Sequence, residues 1–385
     1  MSGAILNVAD LQRAARCYLP RFAYRYLAGG AEDEHTLRGN RVAFGQWQFV
    51  PPVLRDASRR TLNIRLWQQE LAAPLLIAPT GYNGMLRYQA DLMLARSARA
   101  FGIPYIQSTV STASLEEIAA DGQGLHWFQL YVLRDRQVTA GLLQRALAAG
   151  CNTLVLSVDA VHFGNRERDR RSYRRPMKLS LASLCDVALH PRWLWHTLRP
   201  AGMPGFGNLQ PYLPAEQQRG LSGAAYFARE MDAALNWQTL DWVRQCWPGK
   251  LLVKGILHPQ DARQALDAGA DGIVLSNHGG RQLDGSVAPI SLLPAVRAAC
   301  GPTATILIDS GFRRGTDVVK ALALGANAVL LGRPLLYGVA LAGQAGATQA
   351  LRIFSEEIDR TLAQLGCCSV QELGPHLLRP VNDRG

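Results

Sequence analysis

The 385-residue chain contains no apolar run of the ~18 residues needed to cross a bilayer, so no spanning helix is expected. Its opening, "MSGAILNVADLQRAARCYLP", lacks a basic segment followed by an apolar core, and no secretion signal is expected there. The seven cysteines are odd in number and show no paired spacing, which argues for a reducing compartment and against a disulfide framework. Cys367 and Cys368 read as a detail of the tail, and no metal site is expected. No G-x-G-x-x-G follows an early strand, which counts against a doubly wound open sheet. Zinc spacing, an RNP-like motif and repeated aromatic platforms are also missing, so the net charge of +11 does not point to nucleic acid. That charge is uneven: residues 164–220 hold ten Arg and Lys against four Asp and Glu, about half the excess.

What the chain does have is repetition. "LAAGCNTLVLSVD" (147–159), "LDAGADGIVLSNH" (266–278) and "LALGANAVLLGRP" (322–334) each read as a helix end, a Gly turn, a short apolar strand and then polar residues. Strands of this kind are expected at 74–80, 104–109, 126–132, 153–159, 251–255, 272–277, 305–311 and 328–333. Near-continuous apolar runs suit parallel strands buried on both faces. Eight in order, with helical segments between them, predict an α/β chain folded as a (β/α)8 barrel. The expected organisation is one domain over 1–385, with an N-terminal helical cap over 1–70 and the barrel over 71–366. A long insertion over 164–220 follows the fourth strand, because about ninety residues separate strands four and five.

In such barrels the active site lies at the C-terminal ends of the strands. All eight expected strands end in polar groups there, among them Lys254, His278, Arg281, Asp159 and Asp309. The stretch "SNHGGRQLD" (276–284) is the densest, with an imidazole and a guanidinium three residues apart behind a buried strand. "DSGFRRGTD" and "GRPLLYG" add glycines and arginines after strands seven and eight, where barrels bind phosphate. Backbone N–H groups of glycine can approach phosphate oxygens and arginine adds charge-assisted bonds, so a phosphorylated ligand is expected.

"SNHGGRQLD", "FQLYV", "LVKG" and "DSGFRRGTD", with "KALALGA" and "GRP", resemble the FMN-dependent 2-hydroxy-acid oxidoreductases. That family includes glycolate oxidase, lactate oxidase, lactate dehydrogenase and mandelate dehydrogenase. The resemblance runs from 19–41 to 360–367. Within the insertion, "NRERD", "HPRW" and "MDAALNW" are most similar to the membrane-associated mandelate dehydrogenases, with the bacterial L-lactate dehydrogenases next.

The resemblance implies oxidation of an (S)-2-hydroxy acid to the 2-keto acid, with two electrons passing to FMN. His278 matches the family's general base, taking either the hydroxyl proton or the α-proton, and Asp159 matches its carboxylate partner. Arg166 and Arg281 match the arginines that bind the substrate carboxylate, and Tyr26 and Tyr131 match the tyrosines that hydrogen-bond the substrate. Lys254 matches the lysine near the flavin N1 and C2 carbonyl. Pro79, Thr80, Gly81, Ser108, Gln129, Ser157 and Ser276 match the surroundings of the flavin ring. Asp309, Ser310, Gly311, Phe312, Arg313, Gly332 and Arg333 match the ribityl and phosphate end. Tyr24 reads as packing, and Arg168, Arg170 and Arg171 as surface residues or salt-bridge partners.

Two positions depart from the oxidases. Gly81 stands where they often carry Ala, which leans toward a dehydrogenase using a quinone or another carrier. Val110 stands where glycolate oxidase has a tryptophan, leaving room for a larger side chain, some of which Phe163 takes back. An L-lactate dehydrogenase or an oxygen-using oxidase is the alternative, and a non-redox barrel that binds a phosphorylated ligand is the competing class. Trp193 and Trp195 beside Arg192 and Arg199 predict peripheral attachment of the insertion to the cytoplasmic face of the inner membrane, a plain cytoplasmic location being the alternative. A homotetramer is implied by resemblance alone.

Overall fold

A computed structural model describes residues 4–175, 178–214 and 222–381, and in it the eight apolar runs form one closed parallel barrel. Its strands are β1 (Leu75–Ile77), β2 (Tyr105–Ser108), β3 (His126–Leu130), β4 (Thr153–Ser157), β5 (Lys250–Ile256), β6 (Gly272–Leu275), β7 (Ile306–Ile308) and β8 (Ala328–Leu331). Each pairs with its neighbour in sequence, and Val329 of β8 lies opposite Leu75 of β1 to close the ring. Only His126, Lys250 and Gly255 of these strands are not buried. Helices outside and packed side chains inside leave no strand face to water, which is why the strands read as apolar runs without alternation.

Several strands stop short of their expected C-terminal ends. Residues 78–81 and 309–311 leave the sheet and become loop, because their polar groups line a cavity and make no ladder there.

The opposite end is plugged. An antiparallel hairpin, Ile64–Leu66 with Gln69–Leu71, sets the Trp67 ring 5.9 Å from Trp127 and beneath Lys250, near the starts of β3 and β5. Three helices, Val8–Tyr18, Arg21–Ala28 and His35–Val42, precede the barrel, and Trp47–Phe49 pairs antiparallel with Leu378–Pro380 near the C-terminus.

The segment between β4 and β5 is described over 164–175, 178–214 and from 222 onward; residues 176–177 and 215–220 of the expected insertion lie outside the described residues. It docks on the helices that precede the barrel. Asp186 accepts from the Arg21 backbone N–H at 2.6 Å and pairs with its guanidinium at 3.1 Å. Trp193 corrects an expectation: it is fully buried, edge-on to Phe22 at 5.7 Å, and its Nε1–H donates to the Met85 carbonyl at 3.0 Å. A buried indole needs such an acceptor, and here it anchors the insertion. Trp195 does face outward, 58% exposed, with the Arg199 guanidinium 3.7 Å from its ring centroid. Leu181, Leu184 and Leu189 are exposed in the same segment.

Candidate active site

Most residues of "SNHGGRQLD" make specific contacts at the mouth of the barrel. Ser276 Oγ accepts from Lys254 Nζ at 2.9 Å and from the His278 N–H at 3.0 Å. Asn277 exchanges two side-chain hydrogen bonds with Asn40, tying the loop to the helix His35–Val42. Asp284 accepts from the His35 and Thr36 N–H groups at the start of that helix, where a carboxylate also suits the helix dipole. Residues 278–280 are all left-handed, with φ of 58°, 64° and 73°. At Gly280 a Cβ would lie 2.6 Å from the Leu37 nitrogen, so only glycine fits. For His278 the left-handed backbone is strained, and strain of this kind gathers where a side chain must be aimed.

The aimed imidazole sits between two partners. Its Nδ1 lies 3.1 Å from both oxygens of Asp159, and its Nε2 lies 3.2 Å from the Tyr131 hydroxyl. Burial pushes the Asp159 carboxyl up, but His278 and Lys254 outweigh it and hold the group below the ordinary range. An ionised Asp159 assigns the ring proton to Nδ1, leaving the Nε2 lone pair toward the cavity, where it can accept a proton. Burial raises the Tyr131 hydroxyl, with Asp159 adding to the effect, so it remains a neutral donor.

Two arginines share the aromatic ring of Tyr26. The Arg281 guanidinium lies 5.0 Å and that of Arg166 5.7 Å from its centroid. Arg281 Nη1 donates to the Tyr26 carbonyl at 2.6 Å, and the Tyr26 hydroxyl donates to the Gly81 carbonyl at 3.0 Å. Burial and the charge of Arg166 pull the Arg281 guanidinium below its usual value. Positive charge crowded in this way favours an anion.

A second cationic corner lies beyond β7 and β8. Arg333 donates to the carbonyls of Leu27, Gly29 and Gly279, and no carboxylate pairs with it among the described residues. Burial and Arg281 pull it down to about 9. Arg313 Nε is buried with no hydrogen-bond partner among the described residues. Gly311, at φ 92°, approaches Asn40 so closely that a Cβ would lie 2.3 Å from its carbonyl oxygen. Lys254 pairs with Asp309 at 3.2 Å; burial alone would lower its ammonium, yet Asp309 and Asp159 hold it above the ordinary value. An orphan guanidinium N–H and a cation without a carboxylate suit a phosphate, and the Lys254 ammonium suits a ring that gains negative charge.

His278, Tyr131, Tyr26, both arginines of the first pair, Lys254, Asp309, Arg313 and Arg333 open on one cavity of about 810 Å³, lined also by Pro79, Thr80, Gly81, Ser108, Ser310, Phe312 and Gly332. Asp159, Gln129, Ser157 and Ser276 stand behind its wall. Gln129 accepts from Ser108 Oγ at 2.9 Å and donates to Ser157 Oγ at 3.0 Å, fixing the hydroxyl nearest the cavity. Gly81 and Val110 prove to be one feature: a Cβ at 81 would meet Val110 Cγ2 at 2.4 Å, so alanine there requires Val110 to move.

Sequence reasoning missed part of the lining. Tyr82, Phe206, Phe227 and Met231 form an aromatic and apolar wall with Phe163, and Gln282 and Asp169 contribute polar groups. Gln282 was visible inside the quoted loop; its amide donates to the Asp159 and His162 carbonyls, both at 3.1 Å. Phe206 and Phe227 carry no local signal, since only the docking of the insertion brings them over the barrel. Arg170 is exposed as expected and donates to Asn165 at 2.9 Å at the cavity's edge, while Arg168 pairs with Glu34 and Arg171 with Glu167, both at 3.0 Å. Tyr24 accepts from Gln12 at 3.3 Å and packs against the core, away from the cavity.

Known proteins are similar to this chain along almost its whole length. The family described as FMN-dependent dehydrogenase matches residues 15–380. An (S)-mandelate dehydrogenase of Pseudomonas putida is 46% identical over 380 residues, covering 98% of this chain and 95% of the relative. An L-lactate dehydrogenase of Alcaligenes faecalis is 40% identical over 375 residues, covering 97% and 98%. The crystal structure of a monotopic membrane protein, (S)-mandelate dehydrogenase, superposes with a TM-score of 0.94 at 45% identity, covering 98% of this chain and all of that one. The chain therefore belongs to the family of FMN-dependent dehydrogenases.

Proposed function

We propose that this dehydrogenase oxidises an aryl (S)-2-hydroxy acid such as mandelate to the 2-keto acid, with His278 as the base. The observation that carries the reading is the meeting of the His278–Asp159 pair with Arg166 and Arg281 in one cavity. FMN, when bound, would supply the two-electron acceptor; Arg313, Arg333 and Gly311 would hold its phosphate, and Lys254, Ser108 and residues 79–81 its ring, with Gln129 fixing Ser108 from behind. The substrate carboxylate binds the two guanidiniums, whose planar forks match its two oxygens. Tyr26 and Tyr131 orient the carboxylate and the hydroxyl. Nε2 of His278 takes the proton, and Asp159 stabilises the imidazolium that results. Phe163, Phe206, Phe227 and Tyr82 give the side-chain end an aromatic wall, which favours an aryl group over the methyl of lactate.

Nothing among the described helices is long and apolar enough to cross a membrane. We assign the exposed Leu181, Leu184, Leu189 and Trp195, with Arg199, to peripheral contact with the inner membrane's cytoplasmic face, where a quinone acceptor lies within reach.

The test compares (S)-mandelate with 1-phenylethane-1,2-diol, which replaces the carboxylate by a neutral group, using an artificial quinone as acceptor. The acid should turn over and the diol should be a poor substrate. Equal turnover of the two would remove the carboxylate clamp from the account.

A further inference from the structure

Asp169 is the one carboxylate among the described residues of the cavity wall that the reading above leaves without a task. It stands in the short helix Glu167–Arg170, and its side chain is only 13% exposed. Its Oδ2 lies 3.5 Å from Arg166 Nε, close enough for an ion pair, yet neither oxygen has a hydrogen-bond partner among the described residues. Burial raises its carboxyl above the ordinary range, although Arg281, Arg166, Arg333 and Arg168 all pull the other way. A buried carboxylate without hydrogen bonds is costly, and an asparagine or serine there would cost less.

The neighbouring charges indicate what it opposes. Arg168 is engaged by Glu34 and Arg171 by Glu167, Arg170 is exposed and donates to Asn165 at 2.9 Å, and Arg333 is held by three backbone carbonyls. Arg166 and Arg281 remain, the pair to which the substrate carboxylate is assigned. Two guanidiniums and one aspartate leave a single net positive charge, which matches one carboxylate and no more.

We propose that Asp169 is a specificity and positioning residue that offsets one of the two substrate arginines, so that the pair holds a monocarboxylate loosely enough to release it. This rests on the carboxylate-clamp reading above. Uniform tightening of substrate and product lowers KM without raising kcat, so a site that must release a carboxylate product gains from an internal competitor. Dicarboxylates are disfavoured by the same charge balance.

The experiment titrates flavin-bound enzyme with phenylacetate, which lacks the 2-hydroxyl and cannot be oxidised, and with neutral phenylacetamide, both read from the flavin absorbance. Asp169→Asn should bind phenylacetate about tenfold or more tightly, since like-distance charge interactions in a partly wet site are of that order. Phenylacetamide affinity should not change, and Asp169→Glu should behave as wild type. In turnover, Asp169→Asn should lower both KM and kcat, a split that simple loosening of the loop does not produce. Equal or weaker phenylacetate binding by Asp169→Asn overturns the proposal, because the aspartate would then only brace Arg166. Should that variant lose its flavin, wild type alone decides: phenylmalonate, a dianion, should bind no more tightly than phenylacetate, and a clear preference for it overturns the charge balance. A wild type that binds neither phenylacetate nor phenylmalonate defeats the carboxylate clamp itself, a failure distinct from that of Asp169.

Discussion

His278 and His126 stand at opposite ends of the same barrel, and each stacks on a tyrosine. The rings of His278 and Tyr131 lie 6.4 Å apart at 21°, and those of His126 and Tyr105 lie 6.2 Å apart at 18°. What separates them is the rest of their surroundings. His278 has a carboxylate on Nδ1, a left-handed backbone and an open cavity before Nε2. His126 has the Gln107 amide oxygen on Nε2 at 2.8 Å, no partner for Nδ1 among the described residues, and no place in the lining of the cavity that His278 faces. Burial pulls it down to about 4, which favours the neutral ring near pH 7. Stacking on a phenol therefore says nothing about chemistry; a buried carboxylate partner and room for a ligand do. The two ends divide as (β/α)8 barrels usually do, with reactive groups at the C-terminal end of the strands and packing at the other.

The comparison is broken most severely by His278→Gln. FMN should stay bound, since its contacts lie elsewhere, while flavin reduction by substrate slows by more than the ~10²–10⁴ typical of acid–base catalysis alone. Stopped-flow absorbance checks this, and a near wild-type rate would return His278 to the same class as His126. Arg281→Lys comes next. It keeps the charge but loses the fork, and substrate affinity and reduction rate should together fall by roughly 10–100-fold.

The same contrast predicts a stability effect at the other end. His126 has its folded value near 4, below the ~6.5 of an unfolded histidine, so the unfolded state binds more protons between these limits. Stability should be level above pH 6.5 and fall as the pH drops toward 4, by roughly 3 kcal/mol at most from this group. Thermal melts of His126→Gln should lose part of that slope with flavin reduction unaffected. An unchanged slope would mean that His126 does not stay neutral. The smallest catalytic effect is expected from replacing Leu181, Leu184, Leu189 and Trp195 by serine. Cell fractionation should show the protein leaving the membrane pellet with FMN and reduction rate intact, whereas unaltered fractionation would detach this surface from the account.

The barrel was legible because each strand is buried on both faces and must be apolar throughout, as in "GIVL" before "SNHGGRQLD". Its polar ends were legible as well, since imidazole, guanidinium and glycine crowd there beyond what a turn requires. Contacts made through docking were not. Trp193 looked like a membrane indole because nothing local announces the Met85 carbonyl, 108 residues away, that receives its N–H. Asp169 was hidden among "RERDRR", where its neighbours Arg168 and Arg171 do pair at the surface, and only the short helix turns this one carboxylate inward.

The central claim, that this cavity couples a carboxylate clamp and a histidine base to bound FMN, is tested most directly by anaerobic titration of the purified yellow protein with (S)-mandelate. One equivalent should bleach the flavin and yield one equivalent of the keto acid. A protein that holds FMN but stays oxidised with (S)-mandelate and with other (S)-2-hydroxy acids would contradict it.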